Sequence, residues 1–594
     1  MIFYAVTLFM APLLFLGGLE LILRVVGFGG SYPLFRDFEG LPGFRVASDQ
    51  VMNRYVYGGD EPLAYIDPFL FSSEKSPETT RIVVQGGSSA AGFPYGRWAG
   101  LAGMLDARLE ARAPAQRVEV IGTAMAAVNS YTLLDLADEI IEVEPDAVLL
   151  YAGHNEYLGV MGVGSAFGAI QPGWIARTRL ALGRFRVYQL IDRLLAGLRA
   201  GSAEAPHDER ITVFQQAASG SRISIDSLAY EHGLTQFRDN LGALLERYQR
   251  AGIPVLIGTL VSNEADLPPF DGGPGPGIDL EKWADLEALR QRDRARGAAA
   301  EERAQIEAML ELDEQAADAW FALGDWEERA GHWAAAREAY REARDLDRLR
   351  FRAPSAFNQT MRDLAERYGA RLVDVREEFA AESEQGLIGD ALLLEHVHPT
   401  ARGYWILAEA FLEGLEDEQI ISRPVTGLRG PQRWEEQVPL TELDHLIVMH
   451  RIREMRASYP FVEERVSITP LTPETEVEEW ALRRHRGEVS WVEAMEALLQ
   501  IYLAEGRLGD AARVARLTAH EYPLDVGPNL VAGQLLLRLR EWDWARLYLN
   551  RAIRASPEDL RPLVELDRLE AALGGSAATA RLRTAEQPKH LKSP

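Results

Sequence analysis

Short aliphatic and β-branched runs alternate with amphipathic stretches through the first 415 positions, and past Pro424 only the amphipathic stretches remain. Five runs have the length and continuity of buried strands: Ile82-Val83-Val84, Val118 to Ile121, Ala147 to Tyr151, Ile253 to Leu260 and Arg371 to Val375. Between and after them, Ala99 to Ala111, Tyr131 to Val143, Leu241 to Arg250, Met361 to Tyr368 and Gly403 to Leu415 carry the apolar period of helices. Strand, small-residue turn and helix in repetition predict an α/β fold with a parallel, doubly wound sheet, whose functional loops gather at the carboxyl ends of the strands. Residues 28–75, rich in Gly, Pro, Tyr and Phe, have no clear period and read as an irregular lead-in. An Arg-rich helical piece over Arg177 to Arg199 and a polar loop over Gly201 to Arg210 fill a vague stretch before the fourth strand.

The Pro/Gly loop Pro268 to Gly277 marks a boundary, after which the pattern is all helical. Ala319, Trp320, Leu323, Gly324, Ala336, Tyr340 and Ala343 sit at the offsets of a tetratricopeptide hairpin, large residues facing small ones. One such repeat cannot bury its own face, so it needs the neighbouring helices expected over Leu280 to Leu310. Near the carboxyl end, Ala511, Thr518 and Pro523 recur as Ala545, Ala552 and Pro557, 34 positions on. The expected organisation is therefore 1–27 membrane helix, 28–75 lead-in, 76–278 and 351–422 the two parts of the α/β domain, 279–350 a helical insertion, 423–490 a helical linker, 491–575 an all-α repeat region closed by Leu560 to Leu573, and 576–594 a disordered tail.

A length of 594 residues demands more than one core. The net charge of −26 argues against a nucleic-acid or anionic-lipid partner over most of the surface, since phosphates require a basic face. With no cysteine, disulfides, thiolate metal sites and cysteine nucleophiles are excluded. Met1 to Leu19 is uncharged and apolar character continues past Glu20 to Val26, long enough to cross a bilayer once. No basic region precedes it and no clear cleavage signature follows, so a removable signal peptide fits less well, as does a buried helix. Arg24 and Arg36 weakly favour keeping the following chain inside.

The chemistry concentrates at strand ends. Arg81 to Gly92 runs from a strand into Gly86-Gly87-Ser88-Ser89, a tight turn that presents Ser88 beside the free amides of a helix start. Alone, such a turn is more often an anion-binding loop. Far downstream, His398 supplies a base to take the serine proton, and Glu395, three residues earlier, orients the imidazolium. A backbone N–H at Ala127 and the Asn155 side-chain amide complete a set of donors for an oxyanion. Singly, His398 reads as a cap for the next helix and Asn155 as a turn residue; Asn263 also reads as a turn residue more readily than as a substrate contact. His396 and His154 with Glu395 fall short of a metal site.

In order along the chain, Gly86-Gly87-Ser88 with Gly92, the turn at Ala126-Ala127, Gly153-His154-Asn155-Glu156 and Glu395-x-x-His398-Pro399 resemble the four blocks of the SGNH (GDSL-like) hydrolase family. The resemblance implies a flavodoxin-like three-layer sandwich and a serine esterase without cofactor or metal. It also implies Ser88 as nucleophile, Ala127 and Asn155 as oxyanion donors, and His398 and Glu395 as base and orienter. Gly87, Ala127 and Glu395 depart from the family's usual Asp, Gly and Asp. The expected substrate is a short acyl ester or an acylated glycan, O-acetylated envelope polysaccharide being one candidate. Rival readings are an O-acyltransferase using the same residues, and an inactive scaffold that binds protein partners through its repeats. An anchored member of this family carrying repeats resembles a bacterial envelope protein, single-pass in the inner membrane with its body on the periplasmic side.

Overall fold

A computed structural model of the protein describes residues 2–55, 66–112, 116–164, 173–200, 222–422, 433–469 and 471–573. The loop read over 201–210 and the tail over 576–594 lie outside them. The chain divides into two units: Met1–Leu105, Val118–Ile421 and Tyr459–Glu464 form the first, and Asp106–Arg117, Ser422–Ser458 and Arg465–Pro594 the second. The residues 459–464, inside the stretch read as a linker, thus belong with the first unit.

The first unit is built on five strands: β4 (Thr79–Gly86), β5 (Arg117–Gly122), β6 (Ala147–Tyr151), β7 (Val255–Gly258) and β8 (Arg371–Val373). Their order is β5-β4-β6-β7-β8, with β4/β6, β6/β7 and β7/β8 parallel. Relative to β4 this is the 2-1-3-4-5 order of flavodoxin-like sheets. Every residue of β6 is buried, as a continuous apolar run in a central parallel strand requires. Alternation then assigns the faces. Tyr151 meets Phe411 of the helix Ala401–Asp417 edge-on at 6.5 Å. Leu150 and Ile257 point the other way, toward Leu133, Phe237 and Leu241 of the helices Ser130–Ile141 and Leu228–Arg250. Helices on both faces make the three layers.

The lead-in differs from its reading. Three short strands preceding the main sheet, β1 (Phe35–Asp37), β2 (Phe44–Ala47) and β3 (Leu70–Ser72), form an antiparallel sheet with Phe35 opposite Ala47 and Arg45 opposite Phe71. Strands of three or four residues are too brief to display a period of two. Buried Arg81, at the root of β4, ties this sheet down: its guanidinium donates to Ser72 O and Val143 O and pairs with Glu119, each at 2.7 Å. The helix expected from Leu241 begins at Leu228, because Ser227 Oγ accepts from Tyr230 N and caps it. The Arg-rich piece is two helices, Gly173–Gly183 and Arg186–Ala200.

The insertion is four helices, Leu280–Ala295, Ala299–Leu312, Ala317–Arg329 and Trp333–Leu346. Gly324 is obligatory, since a Cβ there would meet the Tyr340 ring at 2.6 Å. The first pair supplies the missing partner surface: Trp283 and Met309 cluster with Ala316 and Ala319, and Ile306 with Ala322, Leu323 and Ala339. The amino-terminal helix runs Ile2–Val25. Among the described residues no helix is long and apolar enough to cross a membrane.

Among the described residues the regular structure of the second unit from Trp434 on is all helical, with Trp491–Ala504, Leu508–Glu521, Val526–Arg538, Trp542–Ala555 and Arg561–Ala572 nearest its carboxyl end. Tyr502, Ala511, Tyr548 and Ala552 sit in its core. Also inside it, His520 Nε2 and Arg551 Nη1 each lie 2.6 Å from the carboxylate of Glu110, which also accepts from Tyr548 Oη at 3.0 Å.

Candidate active site

Sequence dictates the nucleophile turn directly. β4 ends at Gly86, where a Cβ would stand 2.4 Å from Tyr151 O and 2.5 Å from Ala90 Cβ, so only glycine lets the chain turn here. Ser88 opens the short helix Ser88–Ala91 directly behind it. Its side chain is sheltered rather than lifted into solvent, with Ser88 only 8% exposed.

The second half of the site is a tight loop before the helix Ala401–Asp417. Leu394 N donates to His398 O and Thr400 N to Leu392 O, each at 2.8 Å. Thr400, not His398, caps the helix, its Oγ1 accepting from Gly403 N at 3.2 Å. Inside this loop the Glu395 carboxylate accepts from His396 N at 2.6 Å and from His398 N at 3.0 Å, and bonds His398 Nδ1. On its other side His398 Nε2 lies 2.7 Å from Ser88 Oγ. The neighbouring hydroxyl locks the halves together, Ser89 Oγ donating to Val397 O at 3.0 Å. Hydroxyl, imidazole and carboxylate thus form one hydrogen-bonded chain in a dry site.

The remaining two sequence-predicted residues converge on the same turn. A Cβ built on Gly87 would lie 3.5 Å from Asn155 Nδ2, which places that amide beside the nucleophile. Gly159 N donates to Asn155 O at 2.7 Å and Val160 N to Ala127 O at 2.8 Å, so Asn155 and Ala127 hang from one turn. Ala127 has a φ of 59°, a conformation that costs a non-glycine residue roughly 1 kcal/mol. Beneath them, buried Glu156 accepts from Ser130 N at 3.0 Å and Ser130 Oγ at 2.7 Å, and burial pushes its carboxyl up to about 7. Asn263 is fully buried, accepting from Asp266 N and donating to Asp390, so it serves the loop and is screened from a substrate.

Burial also sets the electrostatics of the histidines. It pushes His398 down to about 3, so the ring is neutral at rest and Nε2 is free to accept a proton. Burial likewise depresses His154, to about 3, and carries His396 well below its ordinary value. Glu395, His396 and His398 offer ligand atoms within 4.8 Å of one another. Those of Glu395 and His398 are turned onto each other, onto the loop's own amides and onto Ser88, so a cation would have to displace that network.

Sequence reasoning missed the aromatic wall. Phe93 packs against His398 at 4.7 Å between ring centres, with Tyr404 Oη donating to Phe93 O at 2.6 Å. Phe270, Phe351 and Phe461 surround His396 at 5.7 to 5.8 Å. These rings come from chain segments nearly two hundred positions apart, and no local period announces them.

No family model and no curated protein matches the sequence. Among solved structures the chain is similar to Axe2, an acetylxylan esterase from Geobacillus stearothermophilus, at 13% identity over 58% of this chain and 97% of that one, TM-score 0.26. A GDSL-like lipase from Bacteroides thetaiotaomicron aligns at 12% identity over 57% and 89%, TM-score 0.26. TesA aligns at 12% identity over 58% and 100%, TM-score 0.26. At these scores the likenesses carry no weight for the chemistry, which rests on the geometry above.

Proposed function

We propose that the chain is a membrane-anchored serine ester hydrolase of the SGNH type, working through an acyl-enzyme at Ser88. The observation that carries this reading is the hydrogen-bonded series Ser88, His398, Glu395, joined across 310 positions of sequence. Neutral His398 takes the Ser88 hydroxyl proton at Nε2 as Oγ attacks the acyl carbon. The resulting oxyanion accepts from the N–H groups of Ser88 and Ala127 and from Asn155 Nδ2, donors fixed before reaction and worth roughly a hundredfold or more in rate each. Imidazolium, steadied by Glu395 at Nδ1, then protonates the leaving alcohol. Water repeats the sequence in reverse and frees the acid.

The sheltered hydroxyl favours small acyl groups, such as O-acetyl esters of an envelope glycan. The uncharged apolar run Met1 to Leu19 in the sequence supports a single-pass anchor in a bacterial inner membrane with the body on the periplasmic side, and the helical hairpins, read as tetratricopeptide repeats, support a protein partner.

Labelling by a fluorophosphonate probe, with turnover of a panel of short acyl esters, tests the chemistry. Wild-type protein is expected to be labelled and active, and Ser88→Ala and His398→Ala to lose both. A folded wild-type protein that takes no label and turns over no ester refutes the reading.

A further inference from the structure

We propose that the helices Gly173–Gly183 and Arg186–Ala200 form a second membrane contact, lying in the interface of an anionic lipid surface beside the amino-terminal helix. Their exposed face is apolar: Trp174 is 69% exposed, Phe185 50%, Ile191 47%, Leu194 61% and Leu195 45%. Ile191, Leu194 and Leu195 stand at the i, i+3, i+4 offsets of one helical stripe. Water gains nothing by wetting such a face, whereas aromatic and leucine side chains between arginines are the composition of helices that lie at a headgroup boundary.

Charge complementarity names the occupant. The segment 173–200 holds six arginines against one acidic residue, Asp192, in a chain whose total is −26, and of the six Arg184 is paired with Asp135 at 3.1 Å. A local reversal of that size attracts an anionic surface at close range although the protein as a whole repels it. Arg179 and Arg193 are exposed, with Arg193 over the Phe28 ring at 5.0 Å.

Continuity with the amino-terminal helix supplies the second argument. Glu20, the only acidic residue in that apolar stretch, accepts from Val187 N at 2.9 Å and so meets the start of Arg186–Ala200. Gly30 is clasped on both sides by Gln189, which accepts from Gly30 N at 3.1 Å and donates to Gly30 O at 3.0 Å. Leu23 is buried, while Leu21, Ile22 and Val25 are 59% to 79% exposed. Wherever the end of that helix meets headgroups, the pair of helices clamped to it meets them too.

The absence of cysteine lets a single introduced thiol report on one place. Full-length protein carrying Leu194→Cys, labelled with an environment-sensitive fluorophore and reconstituted in phosphatidylcholine/phosphatidylglycerol vesicles, is expected to show blue-shifted emission quenched more by shallow than by deep doxyl lipids. Leu14→Cys is expected to be quenched by deep doxyl lipids, and Val564→Cys by neither. Arg179→Glu with Arg193→Glu should abolish the Leu194 quenching and leave that at Leu14. Emission at Leu194 that matches Val564 overturns the proposal even if Leu14 is inserted, whereas quenching at Leu194 without insertion at Leu14 upholds it and sinks the anchor instead. Equal quenching in purely zwitterionic vesicles overturns the anionic surface. A blue shift that needs no lipid and grows with protein concentration makes a second copy the occupant and overturns it as well.

Discussion

Among the described residues each unit sets a buried histidine against a buried glutamate, His398 on Glu395 in the first and His520 on Glu110 in the second, and the two rings are shifted in opposite directions. In the first unit the Glu395 carboxylate bonds His398 Nδ1 as well as the amides of its own loop, and burial pushes the ring down to about 3, so it is neutral. In the second unit burial also opposes a charge on His520, but Glu110 and Asp106 outweigh it and raise the ring above its ordinary value. Burial likewise opposes the Glu110 charge, and His520 and Arg551 overcome it, holding that carboxyl well below the usual carboxylate range. The same two side chains therefore make a poised base in one place and a fixed ion pair in the other. What differs is the charge around each ring: burial alone acts on His398, while Glu110 and Asp106 outweigh burial at His520.

The largest test of that contrast is removal of each ring. His398→Ala is expected to lower kcat/KM for a short acyl ester by about 10⁴-fold or more. His520→Ala should leave turnover per folded molecule unchanged, and equal losses in the two variants, read from initial rates, would erase the distinction. Next in size, Glu110→Ala strands His520 and Arg551 without their counter-charge and should cost the second unit about 3 kcal/mol in denaturant unfolding, with hydrogen exchange locating the loss in that unit.

Titration separates the pairs by sign. His154, His396 and His398 have folded values below the unfolded value of about 6.5, so their stabilisation is full above that pH and drains away as pH falls, by up to about 1.4 kcal/mol per pH unit for each ring. His520 is raised, so its contribution is full below about pH 6.5 and is lost as pH climbs through its folded value. Hydrogen exchange in β4 should therefore accelerate on moving from about pH 7 to about pH 5, after correction for intrinsic rates, and exchange around Leu535 should accelerate as pH rises above neutrality. Matching trends in both units would refute the assignment of charge states. Smallest of all, Ala127→Gly relieves the left-handed backbone and should stabilise the first unit by up to about 1 kcal/mol without lowering turnover, by thermal unfolding and ester assay.

Much of this architecture was legible because it is encoded locally. Ile82-Val83-Val84 followed by Gly86-Gly87-Ser88 states a strand and an enforced turn in seven residues, and Ala147 to Tyr151 reads as a central strand from its unbroken apolarity. Small residues facing Tyr340 likewise expose the insertion hairpin. What stayed hidden depends on pairing at a distance. The strands β1 to β3 acquire meaning only through mutual register, and the residues 459–464 reach His396 through a fold that no periodicity describes. Charge state was illegible for the same reason: His398 and His520 look alike in sequence, and only burial and the count of surrounding charges tell them apart.

The reach of the bond between Ser88 and His398 has a consequence for biosynthesis. The hydroxyl leaves the ribosome 310 residues ahead of the ring that is to take its proton. At roughly 5–20 residues per second, that is an interval of about 15–60 s. On the hydrolase reading, a nascent or truncated chain ending anywhere in that interval carries an unactivated alcohol, so hydrolysis would begin only once translation has passed the distal loop and the polypeptide has closed on itself.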